Sequence, residues 1–95
     1  MDKTHFSKCL RDAMIAADVR TVDAAKKANI NEHTASNAVN GKVRPRKKVA
    51  FALSVVALNA LNDRLREKLD DAQELRDAGN ALRRAYIEEY ERKEE

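Results

Sequence analysis

The sequence predicts an all-α fold: a small bundle of short helices followed by a long C-terminal amphipathic helix. Three observations carry that expectation. Ala, Leu, Arg, Lys and Glu dominate the 95 residues, with only two Gly, one Pro and four aromatic side chains, a composition that favours helix. Apolar residues recur at spacings of three and four, and no β-type alternation runs beyond a few residues. From Leu58 onward the pattern becomes heptad-like, as in a coiled coil. The length suits one small domain with an appendage, since folded units usually need about 50 to 200 residues. The expected division is 1–56 and 57–95.

Taken in order, Thr4 can cap a first helix near 5–17, whose apolar face is Phe6, Cys9, Leu10, Ala13 and Ala17. Thr21 can cap a short second helix, "VDAAKKA", with Asp23 in its first turn against the helix dipole. Asn29 ends that helix, because Asn tolerates the left-handed backbone conformation, and Ile30 plugs the corner. Asn31 caps a third helix near 32–39, and Gly41 stops it. Arg44-Pro45 marks the next boundary, so a fourth helix is expected from about 45, with 49–61, "VAFALSVVALNAL", as a buried core segment. Beyond it, Leu58, Leu65, Ala72, Gly79 and Tyr86 form one heptad series, and Leu61, Lys68, Leu75, Leu82 and Glu89 the other. Leu58, Leu61, Leu65, Ala72, Leu75, Leu82 and Tyr86 are the candidate oligomerisation residues. Two arrangements stay open: one continuous coiled-coil helix, or two helices that fold back at Gly79-Asn80.

Charge divides the chain. Residues 1–56 carry 11 Lys/Arg against 5 Asp/Glu, a net +6, whereas 57–95 carry 8 against 11, a net −3. The basic half calls for an anionic partner. The apolar run 49–61 is shorter than the roughly 20 residues of a membrane span. No membrane association is expected. Cys9 is the single cysteine, and the first residues have neither the basic start nor the apolar core of a signal peptide, so a reducing cytoplasm is the expected location. His5 and Cys9 lie one helical turn apart but no further ligand cluster accompanies them, so packing is the expected role of Cys9 and no metal or other cofactor is expected. Ser54 has no base nearby and is expected to bond its own backbone. No enzymatic activity is expected. Tyr86 and Tyr90, one turn apart, are expected to pack in a helix interface.

The stretch 31–46, "NEHTASNAVNGKVRPR", sets a question of its own. Its helix holds Glu32, His33, Thr34, Ser36, Asn37 and Asn40 around only Ala35, Ala38 and Val39, and so offers little area to bury. Two short helices joined by a tight turn, the second polar on its outer face, describe a helix-turn-helix whose second helix enters the DNA major groove. With Ala25, Asn29 at the turn, β-branched Ile30, capping Asn31, Ser36, Gly41, "NGK" at 40–42 and "RPR" at 44–46 in place, residues 4–58 resemble the Cro and lambda-repressor-like (XRE-type) helix-turn-helix regulators of phages and bacteria. Departures from the family are Thr21 where Gln is frequent, Asn29 where Gly is frequent, and Ala35 and Ala38 where larger apolar residues are frequent.

Carried over, the resemblance puts Glu32, His33 and Asn37 against bases, and Thr21, Asn40, Lys42, Arg44 and Arg46 against phosphates; Asn31, Ser36 and Lys47 complete the candidate phosphate set. Side-chain chemistry agrees: Asn pairs bidentately with adenine N6 and N7, His donates to guanine N7 or O6, and Glu accepts from cytosine N4. The run Lys42, Arg44, Arg46, Lys47 and Lys48 would supply counterion-release affinity for any duplex. The leading expectation is thus a sequence-specific transcriptional regulator, of the phage or prophage repressor type, that binds double-stranded DNA at a palindromic operator as a dimer or higher homo-oligomer. Two other classes compete: an antitoxin that autoregulates its operon while its C-terminal segment holds a toxin, and a coiled-coil adaptor without DNA binding. Salt-dependent DNA affinity separates the adaptor from the others, and disorder of 60–95 in isolation favours the antitoxin.

Overall fold

The computed structural model describes residues 5–67 and 72–91. Five helices follow one another among these: α1 (His5–Ala17), α2 (Thr21–Ala28), α3 (Glu32–Asn40), α4 (Lys47–Glu67) and α5 (Ala72–Tyr86), the last running into a π-helical turn, Ile87–Glu91. The described residues contain no strand, so the all-α expectation holds. No helix among them is long and apolar enough to cross a membrane. Thr4, the expected cap of α1, lies outside the described residues.

Three helix ends share one device. Asp18, Asn29 and Gly41 all adopt left-handed backbone, with φ of 61°, 59° and 74°, and at each the following residue bonds back across the last turn: Val19 N–H to Met14 C=O (2.9 Å), Ile30 N–H to Ala25 C=O (3.0 Å) and Lys42 N–H to Asn37 C=O (3.0 Å). These bonds satisfy carbonyls that a helix end leaves open and turn the chain sharply. Asn29 and Gly41 do this where the sequence expects it. At the start of α2 the structure differs from expectation: Arg20 is the capping position, without a side-chain cap bond, and Thr21 is the first helical residue. The Arg20 guanidinium instead reaches Asp23 at 3.2 Å.

One apolar core joins all five helices. Phe6, Leu10 and Met14 of α1, Ala24 and Ala25 of α2, Ala35 and Ala38 of α3, Ala50, Leu53 and Leu61 of α4, and Leu75, Leu82 and Ala85 of α5 are all buried. Burying a Leu or Phe stabilises by about 1.5–3 kcal/mol, so the five largest, Phe6, Leu10, Leu53, Leu61 and Leu82, carry much of the fold. Within α4, Ala50, Leu53, Ser54, Ala57 and Leu61 form the inward face at the 3.6-residue period, and the helix runs without interruption across the expected boundary at 56/57. Ser54 does not bond its backbone as expected: its Oγ is buried and has no hydrogen-bond partner.

The C-terminal part departs from the expected long coiled coil. α4 ends at Glu67 and α5 begins at Ala72, and α5 packs on both α1 and α4. The break is not at Gly79-Asn80, which lies inside α5, and Lys68 of the expected seam lies outside the described residues. Gly79 is buried against Leu58 and Leu61 of the same chain. Leu61, Leu75 and Leu82, expected in an intermolecular seam, are therefore covered within one molecule. The physical reason is burial of apolar surface: α5 packs on α1 and α4, and its stripe Leu75, Gly79, Leu82 and Ala85 is buried there. Tyr86 and Tyr90 pack as expected of side chains in a helix interface, but inside the monomer, stacked at 5.3 Å with Phe6 edge-on to both.

Candidate nucleic-acid interface

The helix α3 is held by small contacts and good ends. Ala35, Ala38 and Val39 face inward, and methyl-sized Ala lets α3 sit close to its neighbours. The Asn31 side chain accepts from the His33 N–H at 2.7 Å, capping the first turn. Buried Ser7 of α1 donates its hydroxyl to the Ala38 carbonyl at 2.7 Å, a cross-link between helices that fixes where α3 ends. With Ala35 and Val39 inward, the helical period turns His33, Asn37 and Asn40 to the opposite side.

The structure brings most of the candidate readers onto one face. Glu32, His33 and Thr34 are exposed in the first turn, and Asn37, half-buried, follows one turn later. Thr34 and Asn37 line a groove of about 410 Å³ whose other wall is Val43, Arg44, Pro45, Arg46 and Val49. The loop after Gly41 thus runs beside α3, with Lys42, Arg44 and Arg46 of the loop and Lys47 and Lys48 at the start of α4 all exposed. At the other end of α3, Asn40 donates to Ser36 Oγ at 3.2 Å, and Asn40 and Gly41 border a second groove with Lys8 and Arg11 of α1. Thr21 is half-buried at the start of α2. The Asn31 Oδ1 accepts the cap bond, which leaves the side-chain NH2 group, the donor a phosphate needs, outside that bond.

Four residues beside this face escaped the sequence reading. Thr34 and Val43 line the first groove, and Lys8 and Arg11 the second. For Thr34 the helical period was a usable signal, because it adjoins Asn37 one turn on. The α1 residues had none, since their approach to α3 depends on packing across 30 residues of chain. The Lys8 ammonium bonds Asp12 at 3.0 Å, which raises its pKa.

The fourth helix starts at Lys47, close to the expected start near 45. The Pro45 carbonyl accepts from the Tyr90 hydroxyl, and the first turn of α4 is closed by Ala50 N–H to Arg46 C=O at 2.9 Å. Arg44 and Lys47, expected to meet phosphates, meet carboxylates: Arg44 Nε pairs with Glu89 and Lys47 Nζ with Glu91 at 3.3 Å. The hydrogen bond that Arg44 donates to the Glu89 carboxylate raises the Arg44 pKa further. Burial pushes the Tyr90 phenol up. Burial likewise raises the thiol of Cys9, whose Sγ lies 3.6 Å from His5 Nε2, and no third His, Cys, Asp or Glu among the described residues joins them as a metal cluster.

Of the candidate oligomerisation set, Leu58, Leu65, Ala72 and Tyr86 are half-buried, and Leu61, Leu75 and Leu82 are interior. Among the described residues, the large apolar side chains left outside are Ile15, Val43, Phe51, Val55 and Ile87. Comparison of the chain with protein-family models, with curated proteins and with solved structures finds no match in any of the three.

Proposed function

We propose that the protein is a sequence-specific DNA-binding transcriptional regulator that lays α3 in the major groove and the basic segment 42–48, the loop and the start of α4, along the phosphate backbone. The observation that carries this reading is the pairing of an outward polar helix, capped by Asn31 and Gly41, with an adjoining exposed basic loop across one groove. Base readout falls to Glu32, His33 and Asn37, with Thr34 beside them, and backbone contact to Lys42, Arg46 and Lys48 in the first instance. The resemblance to Cro and lambda-repressor-like regulators supports the same roles, and with them a repressor acting at an operator.

Twofold recognition requires a dimer, and then a palindrome with half-sites roughly 34 Å apart. Since Leu61, Leu75 and Leu82 serve the monomer core, such a dimer would use other apolar side chains; Phe51 and Val55, 56% and 37% exposed one turn apart on α4, are available. Light scattering of the protein alone and on DNA is the check. The antitoxin reading looks for a C-terminal segment that orders only on a second protein, whereas α5 is packed on α1 and α4.

Selection of bound sequences from a random duplex pool, followed by binding isotherms, tests the proposal. Asn37→Ala is expected to cost about 1–3 kcal/mol on the selected site and to relax preference at one base step, while Arg46→Ala weakens all duplexes alike and lowers the salt slope by about one. Equal losses for Asn37→Ala on selected and random duplexes would remove α3 from base reading.

A further inference from the structure

We propose that the C-terminal turn Ile87–Glu91 is a built-in competitor for DNA, its carboxylates standing in for phosphates on the basic loop. The inference rests on the DNA-binding reading above and adds a regulatory contact to it. Five contacts tie the turn to the loop and the first residue of α4. Glu89 pairs through its carboxylate with Arg44 Nε, and its backbone carbonyl accepts from Arg44 Nη2 at 3.3 Å. Glu91 pairs with Lys47 at 3.3 Å. Tyr90 lies between them, with the Arg44 guanidinium 4.9 Å from its ring centroid and its hydroxyl bonded to the Pro45 carbonyl. Tyr90 is in turn anchored on Phe6 and Tyr86, so the two carboxylates are held at the loop rather than reaching it by chance.

Chemistry makes the match specific. A guanidinium that offers Nε and a terminal nitrogen to one partner presents the fork that also grips a phosphate. Arg44 is turned to Glu89 in this way, so it cannot hold a phosphate with the same two nitrogens. The pairs are partly solvent-exposed, and exposed ion pairs are individually weak. A duplex can therefore displace the turn, but its apparent affinity is reduced by the competition. Any event that lifts the turn from the loop would release two cations for the backbone.

The test compares the full chain, Glu89→Gln with Glu91→Gln, and a charge-matched control, Glu74→Gln with Asp77→Asn on the exposed side of α5, binding a random duplex over a salt series. Tyr90 stays in place, and thermal melts confirm that each variant folds. The 89/91 variant is expected to bind roughly 3- to 30-fold more tightly than the full chain, with a log–log salt slope steeper by about two. The control should gain clearly less. Unchanged or weaker binding by the 89/91 variant overturns the proposal, as does an equal gain in the control, which would mark a general charge effect. Absence of salt-dependent binding in all three proteins would instead refute the DNA-binding reading and the competitor with it.

Discussion

The helices α3 and α5 sit on the same core by opposite means. α5 presents Leu75, Gly79, Leu82 and Ala85 to the interior at the helical period, and its hold comes from apolar area. α3 presents two Ala and one Val, so its hold comes from its ends: Asn31 at the start, Gly41 at the finish, and Ser7 bonded to Ala38. A helix fixed by its ends can leave a whole side chemically uncommitted, as a recognition surface requires. α5 also keeps an exposed side, with Glu74, Arg76, Asp77, Arg83 and Arg84 on it, but its place in the fold depends on the apolar side buried inside the molecule.

Perturbation should separate the two. Leu82→Ala, at a fully buried position, is expected to cost about 2–5 kcal/mol in urea unfolding, because the lost transfer energy is joined by that of a cavity. A loss below 1 kcal/mol would mean that α5 is loosely docked. Asn31→Ala is expected to cost less, about 1 kcal/mol, but to raise hydrogen exchange selectively in the first turn of α3. Uniform exchange changes would deny the cap its local role. Smallest of all, Gly79→Ala should stabilise by about 0.5–1 kcal/mol: Gly79 is inside α5 with negative φ, helix interiors favour Ala over Gly by about that amount, and an added Cβ would stand 3.6 Å from Leu58 and Leu61, ordinary contact distance. A destabilised variant would show that the α4–α5 approach is tighter than this spacing implies.

The same contrast explains what the sequence made legible. Asn29, Asn31 and Gly41 act within a few residues of where they stand, so the α2–turn–α3 unit could be read from local chemistry alone. Thr21 and Asp18 show the limit of that reading. Thr is a favoured cap, yet the cap position falls on Arg20, and Asp18 takes a left-handed conformation more often given to Gly or Asn. For α5 the period of Leu61, Leu75 and Leu82 was legible, but a period names a buried face without naming what buries it. An intermolecular seam and an intramolecular fold-back write the same pattern. The pairing of Arg44 with Glu89 spans 45 residues and left no local trace, so two candidate phosphate contacts proved to be engaged within the chain.

The central claim, that α3 and its basic loop form the surface that meets DNA, is tested most directly by titrating the isotopically labelled protein with a duplex and following backbone amide shifts. The account predicts that the largest changes fall at 32–37 and 40–48, with smaller ones at 89–91 as the turn yields the loop, while Ile15, Ala78 and Ala81, which line a groove between α1 and α5, stay in place. Changes concentrated on that α1–α5 groove with α3 unmoved would contradict it.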